Sequence, residues 1–309
     1  MNQVTTSLPT SPITGSSNVS LLREIDTAAL ARRWSDEFGI AIQGLWDVGA
    51  QIQMFRCRDS QVTFAHPASA SGTGGLYEKL QQFSWYYMPF KWEHQQAVND
   101  IAVGDRVLEV GCGAGGFLQR LKSSHVEAMG LELNEAAARH AGENGLHVEC
   151  CPLHRFAEKN ERGFDVVCHF EVLEHVSNIR SFLEDCLRLL RPGGKLLFAL
   201  PNMDSFLKHD PDGLLNLPPH HMSQWIPASI RYLEQILPIR MQQIAFEPLT
   251  DYHVDYYTEI QWRRLASRVT RGHRFILPAV CLYRSLLRNS VIRRLVRGHT
   301  MYACFTLTR

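Results

Sequence analysis

Two short stretches carry residue types that can do chemistry. Residues 216–225, NLPPHHMSQW, set His220 and His221 side by side behind two prolines. An imidazole titrates near neutral pH, so such a pair can supply a general base, half of a metal site, or hydrogen bonds that hold a turn. Adjacent side chains of an extended segment point to opposite sides, so one of the two is expected to face a pocket, and the sequence does not say which. Metal coordination is the weakest of the three readings, because only Asp210 and Asp212 lie close by as carboxylates; no metal is expected. The second stretch, LEVGCGAGG at 108–116, holds Gly111-x-Gly113-x-x-Gly116 with Glu109 just ahead of it. A glycine loop between a strand and a helix lets backbone approach a nucleotide closely. A dinucleotide would place its pyrophosphate there, and the Glu109 carboxylate would repel it. A nucleotide with positive charge and no phosphate suits the loop better. Glu132, ending the next apolar run in GLELN, is placed to accept hydrogen bonds from ribose hydroxyls of either kind of ligand.

The elements that must position these residues alternate. DRVLEVG (105–111) reads as a buried strand, GGFLQRLKSS as a helix, VEAMGLEL as a strand, NEAAARHAGENG as a helix capped by Gly145, and LHVECC as a third strand. FDVVCHFEVLEHV supplies a fourth strand and a loop, SNIRSFLEDCLRLLRPGG a helix from Ser177 to Gly193-Gly194, and KLLFALPN a fifth strand. ASIRYLEQIL then reads as a helix, and MQQIAFEPL and HTMYACFTLTR as strands. Strands alternating with helices call for a parallel sheet covered on both faces, with ligands at the carboxyl ends of its strands.

Four blocks in this order, E-V-G-C-G-A-G-G, L-E-L-N, F-D-V-V-C-H-F-E-V-L-E-H-V and L-L-R-P-G-G-K-L-L-F-A-L-P-N, resemble the class I S-adenosylmethionine-dependent methyltransferases over about 98–246. HTMYACFTLTR resembles the last strand of that fold. The resemblance implies a Rossmann-like α/β sheet with helices on both faces, S-adenosylmethionine as methyl donor and S-adenosylhomocysteine as product. It implies that Glu109, Gly111, Gly113 and Gly115 face the methionine portion, that Glu132 meets the ribose and Leu133 the adenine, and that Phe170 and Glu171 line the methyl-transfer pocket. Family members commonly carry an Asp after the third strand; here the sequence reads CCPLHRF, which leaves adenine recognition to the backbone near Leu153. Glu174 and His175 either tie loop to helix or act directly. WYYMPFKWEH (85–94) resembles an N-terminal lid, with Tyr87 on the methionine carboxylate, or is the core of a capping helix. The PPHH stretch falls about fifteen residues after the fifth strand, where this fold often builds an acceptor lid. That makes His220 or His221 the candidate base for transfer to a hydroxyl of a small molecule or glycan. N- or C-methylation is the alternative; a binding protein without activity is disfavoured by the intact Glu109, glycine loop and Glu132. Nucleic acid is not expected as a partner, since neither D/N-P-P-[FYW] nor a Pro-Cys nucleophile follows the fourth strand.

The remainder of the 309 residues is arranged around this core. Net charge of +1 and 45% hydrophobic residues are ordinary for a soluble protein. Eight cysteines without a C-x-x-C read as free thiols of a reducing compartment. With no secretory signal pattern and no run of about 18 apolar residues, a cytoplasmic location is expected. Residues 1–20 read as a flexible tail, 21–95 as a small α+β capping element that opens with a helix from Leu21, 96–249 with 298–309 as the core, and 250–297 as a helical insertion. Residues 260–297 hold ten arginines and no acid, which fits an anionic membrane surface at the inner face of a membrane, an anionic acceptor, or helices that pack on the core or on a second subunit.

Overall fold

The computed structural model describes residues 8–308 except 47, 84, 87, 89, 123 and 268–272, with backbone alone for 273–277. The chain opens with β1 (Val19–Asp26), α1 (Thr27–Phe38), β2 (Gln51–Cys57), β3 (Thr63–His66), α2 (Gly74–Leu80) and α3 (Trp92–Asp100). The alternating core follows as β4 (Arg106–Val110), α4 (Gly116–Leu121), β5 (Glu127–Leu131), α5 (Glu135–Glu143), β6 (Val148–Glu149), α6 (Leu153–Ala157), β7 (Phe164–Phe170), α7 (Ile179–Leu189) and β8 (Leu190–Pro201). Then come β9 (Ser223–Gln224), α8 (Pro227–Ile236), β10 (Ile239–Pro248), α9 (Val254–Ala266), α10 (His273–Leu287), α11 (Ser290–Arg293) and β11 (Arg297–Leu307).

Seven strands form the main sheet in the order β10-β11-β8-β7-β4-β5-β6; β8 through β6 are parallel, and β11 runs antiparallel between β8 and β10. The central strands are buried on both faces, which is why their sequences are near-continuous apolar runs rather than alternating ones. The chain leaves β4 toward β5 on one side and reaches β7 on the other, so the crevice opens at the carboxyl ends of β4, β5 and β7. α7 is shorter than its apolar pattern predicts. It ends at Leu189, and Leu190 already pairs with Phe164, the following Arg-Pro-Gly-Gly being taken up in a bulge of β8. Ser177 does not cap it; its hydroxyl donates to Ala68 O at 3.2 Å.

Two expectations for the N-terminus are corrected. Residues 8–20 are not a loose tail: Ile13 is buried beside Val62 in the main core, and Arg180 N–H donates to Pro12 O at 3.1 Å. Residues 19–26 are strand rather than helix, because they pair with β2, and the helix starts only where the Asp26 carboxylate caps Ala29 N–H at 2.6 Å. The helical spacing of Leu22, Ile25, Ala29 and Leu30 runs across that boundary.

A second sheet, β1-β2-β3-β9, joins distant parts of the chain. β9 pairs with β3, and Leu214, Leu217 and Met222 pack into the same apolar cluster as Trp34, Ile52, Met54 and Leu76. The segment after β8 and the N-terminal element are therefore one body. The insertion has its own small core, in which Leu249, Val254, Ile260 and Leu287 pack against Phe206 and Leu207. Among the described residues no helix is long and apolar enough to cross a membrane.

Candidate active site

The crevice widens into a cavity of about 2000 Å³ walled by the glycine loop, the N-terminal element, the His220–His221 turn and the insertion. At its glycine end, β4 delivers Glu109, whose side chain is buried and whose Oε2 has no hydrogen-bond partner. Burial, and then the charge of Glu132, push its carboxyl well above the usual carboxylate range. Glu132 accepts Gly113 N–H and Asn134 N–H through different oxygens, both at 2.8 Å. Gly111, Gly113 and Gly115 all hold positive φ, 75°, 53° and 81°. A Cβ at Gly111 would sit 2.6 Å from Val172 Cγ2 and one at Gly115 2.3 Å from Leu146 Cδ1, so the fold itself demands those two glycines. Leu133 projects into the cavity, 69% exposed, with Leu153 at the start of α6 also on its wall. Phe170, the last residue of β7, meets Phe117 and His94 edge-on with centroids 5.0 Å away in each case. Tyr87 lies outside the described residues.

At the other end the histidine pair departs from the extended geometry expected of it. The N–H groups of His220 and His221 both donate to Leu217 O, at 3.1 and 3.0 Å, and this turn stacks the two rings 4.4 Å apart and 20° from parallel. Both line the cavity. His220 has both ring nitrogens engaged. A carbonyl only accepts, so Nδ1–H donates to Leu215 O at 2.9 Å, which leaves Nε2 to accept the Tyr86 hydroxyl at 3.0 Å. His175 Nδ1–H in turn donates to His220 O at 2.6 Å. His221 makes no side-chain hydrogen bond among the described residues, and its Nε2 is 3.9 Å from Glu174 Oε1. Burial, then the neighbouring imidazoles, hold His221 well below the ordinary histidine range; burial and Glu171 push Glu174 well up. His221 is thus a neutral imidazole beside a buried carboxyl with no hydrogen-bond partner at either oxygen.

The carboxylates near the pair in sequence have other partners. Asp210 accepts the Tyr256 hydroxyl at 2.8 Å and Asp212 pairs with Arg23 at 2.6 Å. Glu174, 46 to 47 positions upstream, takes their place, and His175, His220 and His221 form a compact group of imidazoles. The stretch 85–94 does reach the cavity, through Trp85, Tyr86, Lys91, Glu93 and His94, while Tyr252, His253 and His299 on its wall escaped the sequence reading. Lys91 Nζ is 4.0 Å from Glu93 Oε1; burial opposes its charge, but Glu93, Glu171, Glu174 and Glu247 outweigh that and raise its pKa. Burial pushes Glu93 up to about 7 against the pull of Lys91. Nothing in their spacing marks these residues as one group, since they come from the segment leading into α3 and its first turn, from the turn after β10, and from β11.

Known proteins bear on this arrangement. A methyltransferase domain model matches residues 86–269. The chain is 37% identical over 108 residues to a ubiquinone biosynthesis O-methyltransferase of Maricaulis maris, a match covering 33% of this chain and 42% of that protein. A protein of the same name from Parvibaculum lavamentivorans is 29% identical over 186 residues, covering 53% and 71%. The first of these matches spans less than half of the relative. An S-adenosylmethionine-dependent methyltransferase structure from Archaeoglobus fulgidus superposes with a TM-score of 0.51 at 17% identity, over 75% of this chain and 98% of that one, a likeness of fold.

Proposed function

The chain belongs to the S-adenosylmethionine-dependent class I methyltransferases, and from that premise we propose that it methylates a hydroxyl oxygen of a small aromatic molecule, with His221 as the base. The donor, when bound, supplies an electrophilic methyl group on a sulfonium. The glycine end fits such a ligand: Glu109 offers a buried oxygen without a partner, and neither Glu109 nor Glu132 is ion-paired among the described residues. A cationic amino-acid arm would supply the partner that the Glu109 oxygen lacks, whereas a phosphate would meet two acidic side chains there. Each Glu132 oxygen keeps a lone pair for a ribose hydroxyl beyond the backbone N–H it already accepts.

The observation that carries the reading is the difference between the two histidines on one cavity wall. His220 is occupied at both nitrogens and holds the turn; His221 keeps its ring free and electrically neutral. A neutral imidazole takes the proton that an acceptor hydroxyl gives up as it attacks, and alignment within the cavity supplies much of the remaining acceleration. Tyr77, Tyr86, Trp85, Tyr252 and Tyr256 on the walls favour an aromatic acceptor, in keeping with the relatives' name. The test is transfer of a deuterated methyl group to phenolic and to glycosidic acceptors, followed by mass spectrometry. Label on a phenolic oxygen is expected. Label on sugar hydroxyls would favour a glycan acceptor, and label on nitrogen or carbon alone would overturn the reading.

A peripheral contact with an anionic surface is proposed for the insertion. Leu282, Leu286, Val291 and Leu295 are exposed there beside Arg288 and Arg294. Other arginines are engaged: Arg263 with Glu259, Arg284 with Asp255, Arg293 with Asp251, and Arg297 over the Phe246 ring. Co-sedimentation with anionic but not zwitterionic vesicles is expected; equal behaviour toward both would refute it.

A further inference from the structure

β10 and β11 run antiparallel into the insertion, and the irregularity in their pairing between Phe246 with Met301 and Pro248 with Arg297 leaves Glu247 beside residues 298–300, where its side chain meets His299. The short turn Asp251–His253 then brings His253 against them, its ring 4.2 Å from that of His299 and 83° to it. One ligand atom from each of the three residues lies within 4.8 Å of the other two. The Glu247 side chain is completely buried; its Oε2 has no hydrogen-bond partner, nor has His299 Nδ1, 3.4 Å away. The surroundings orient the group. Tyr252 donates its hydroxyl to Glu247 Oε1 at 3.4 Å, and Thr250 Oγ1 is 2.9 Å from His253 Nδ1, which leaves His253 Nε2 without a hydrogen bond among the described residues. Gly298 keeps room beside the carboxylate, since a Cβ there would lie 2.7 Å from Glu247 Oε2.

Two imidazoles and one carboxylate, oriented from behind by a hydroxyl on the histidine and another on the carboxylate, are the donor set of open divalent sites. A plain ion pair between His299 and Glu247 would explain neither His253 nor the space kept by Gly298. We propose that Glu247, His253 and His299 bind one divalent first-row transition-metal ion of the Zn²⁺ type. His253, His299 and Tyr252 line the cavity, so the open coordination positions face the space assigned above to the acceptor. An acceptor oxygen or a water fills them. The site rests on the proposed function only for that last assignment.

Co²⁺ is the probe, because its visible absorption reports nitrogen and oxygen ligation directly. Titration of the metal-free full-length protein is expected to give a saturable band at one equivalent, bleached by Zn²⁺. His253→Ala should lose it, and Thr250→Val should weaken binding by roughly tenfold, as loss of an orienting hydrogen bond does. Melting curves without metal establish that each variant is folded; if His253→Ala is not, Thr250→Val decides. Absence of a saturable band, wild-type affinity in the folded variants, or loss of the band in His221→Ala alone would overturn the proposal. Calorimetry with S-adenosylhomocysteine on the same samples tests the methyl-donor site separately. Failure there with an intact Co²⁺ band sinks the transferase reading of the cavity and not the metal site.

Discussion

Replacing Glu109 by Gln should move stability and ligand affinity in opposite directions. In the free protein the Glu109 carboxyl is buried, lacks a partner at Oε2, and is pushed above its ordinary range by burial and Glu132. A carboxyl whose folded pKa exceeds its unfolded one carries no penalty below the unfolded value, near 4.5, and destabilises the fold as pH rises from there through the folded value. The amide does not titrate, so Glu109→Gln should melt higher than wild type at pH 7 to 8, and the two should converge as pH falls toward 5. A buried charged group left unsatisfied costs about 1–3 kcal/mol, and for a chain of this size each kcal/mol is worth roughly 1.5–2 °C in Tm. The expected gain is therefore a few degrees. Binding should go the other way: a hydrogen bond to a charged acceptor is worth about 1.5–3 kcal/mol, so losing the charge weakens S-adenosylhomocysteine by roughly ten- to a hundredfold. Scanning calorimetry across pH and titration calorimetry with S-adenosylhomocysteine read the two effects on one sample. A variant that melts lower than wild type at pH 8 would show that the carboxylate supports the fold, and unchanged affinity would remove it from the donor site.

The other predictions separate chemistry from architecture. His221→Asn should lower kcat by about 10²–10⁴ with little change in melting temperature. Because burial lowers the His221 pKa, the acidic limb of wild-type kcat should fall below the ordinary histidine range and vanish in the variant; a normal limb that survives substitution would acquit His221. His220→Ala removes the hydrogen bonds that its ring makes to Leu215 O and accepts from the Tyr86 hydroxyl and should cost about 1–3 kcal/mol in urea unfolding, so a wild-type midpoint would deny it the role of holding the turn. Gly115→Ala forces a side chain into φ 81° with Leu146 Cδ1 2.3 Å away and should cost roughly 1–3 kcal/mol by the same measurement; a wild-type midpoint would show that the loop does not need a glycine there. Ile13→Ala should cost about 2–5 kcal/mol if residues 8–20 are docked as described; no cost would return them to a loose tail.

What the sequence disclosed follows from how far apart the determinants lie. β4, β5, β7 and β8 are legible because strands buried on both faces need consecutive apolar residues, and each such run is local. Glu109 and the glycine loop were readable for the same reason: residue, turn and helix start lie within nine positions, 108–116. Errors arose where a local pattern met a non-local partner. Leu22, Ile25, Ala29 and Leu30 have helical spacing, yet pairing with β2 claims the first two for a strand, and the Asp26 cap was the available sign. PPHH looks extended, yet two hydrogen bonds to Leu217 O fold it into a turn and put both rings on one side. The choice between His220 and His221 depended on Leu215 and Tyr86, and Tyr86 lies 134 positions away.

The cavity extends that argument to function. Its donor end is built from the contiguous parallel core, whereas its other walls come from the N-terminal element, the turn after β8 and the insertion between β10 and β11. β9 ties the His220–His221 turn to the N-terminal sheet through β3, so the candidate base is positioned by a strand pairing that the core does not need. His253 and His299 stand 46 positions apart and meet only because β10 and β11 flank the insertion. On the proposed function, changes in these added segments alter which acceptor is held and what deprotonates it while leaving Glu109, Glu132 and the glycine loop untouched. Exchanging the insertion should accordingly change acceptor preference while the affinity for S-adenosylhomocysteine stays within a fewfold of wild type. A large loss of that affinity would show that the donor end depends on the insertion and that the two ends of the cavity are not separable.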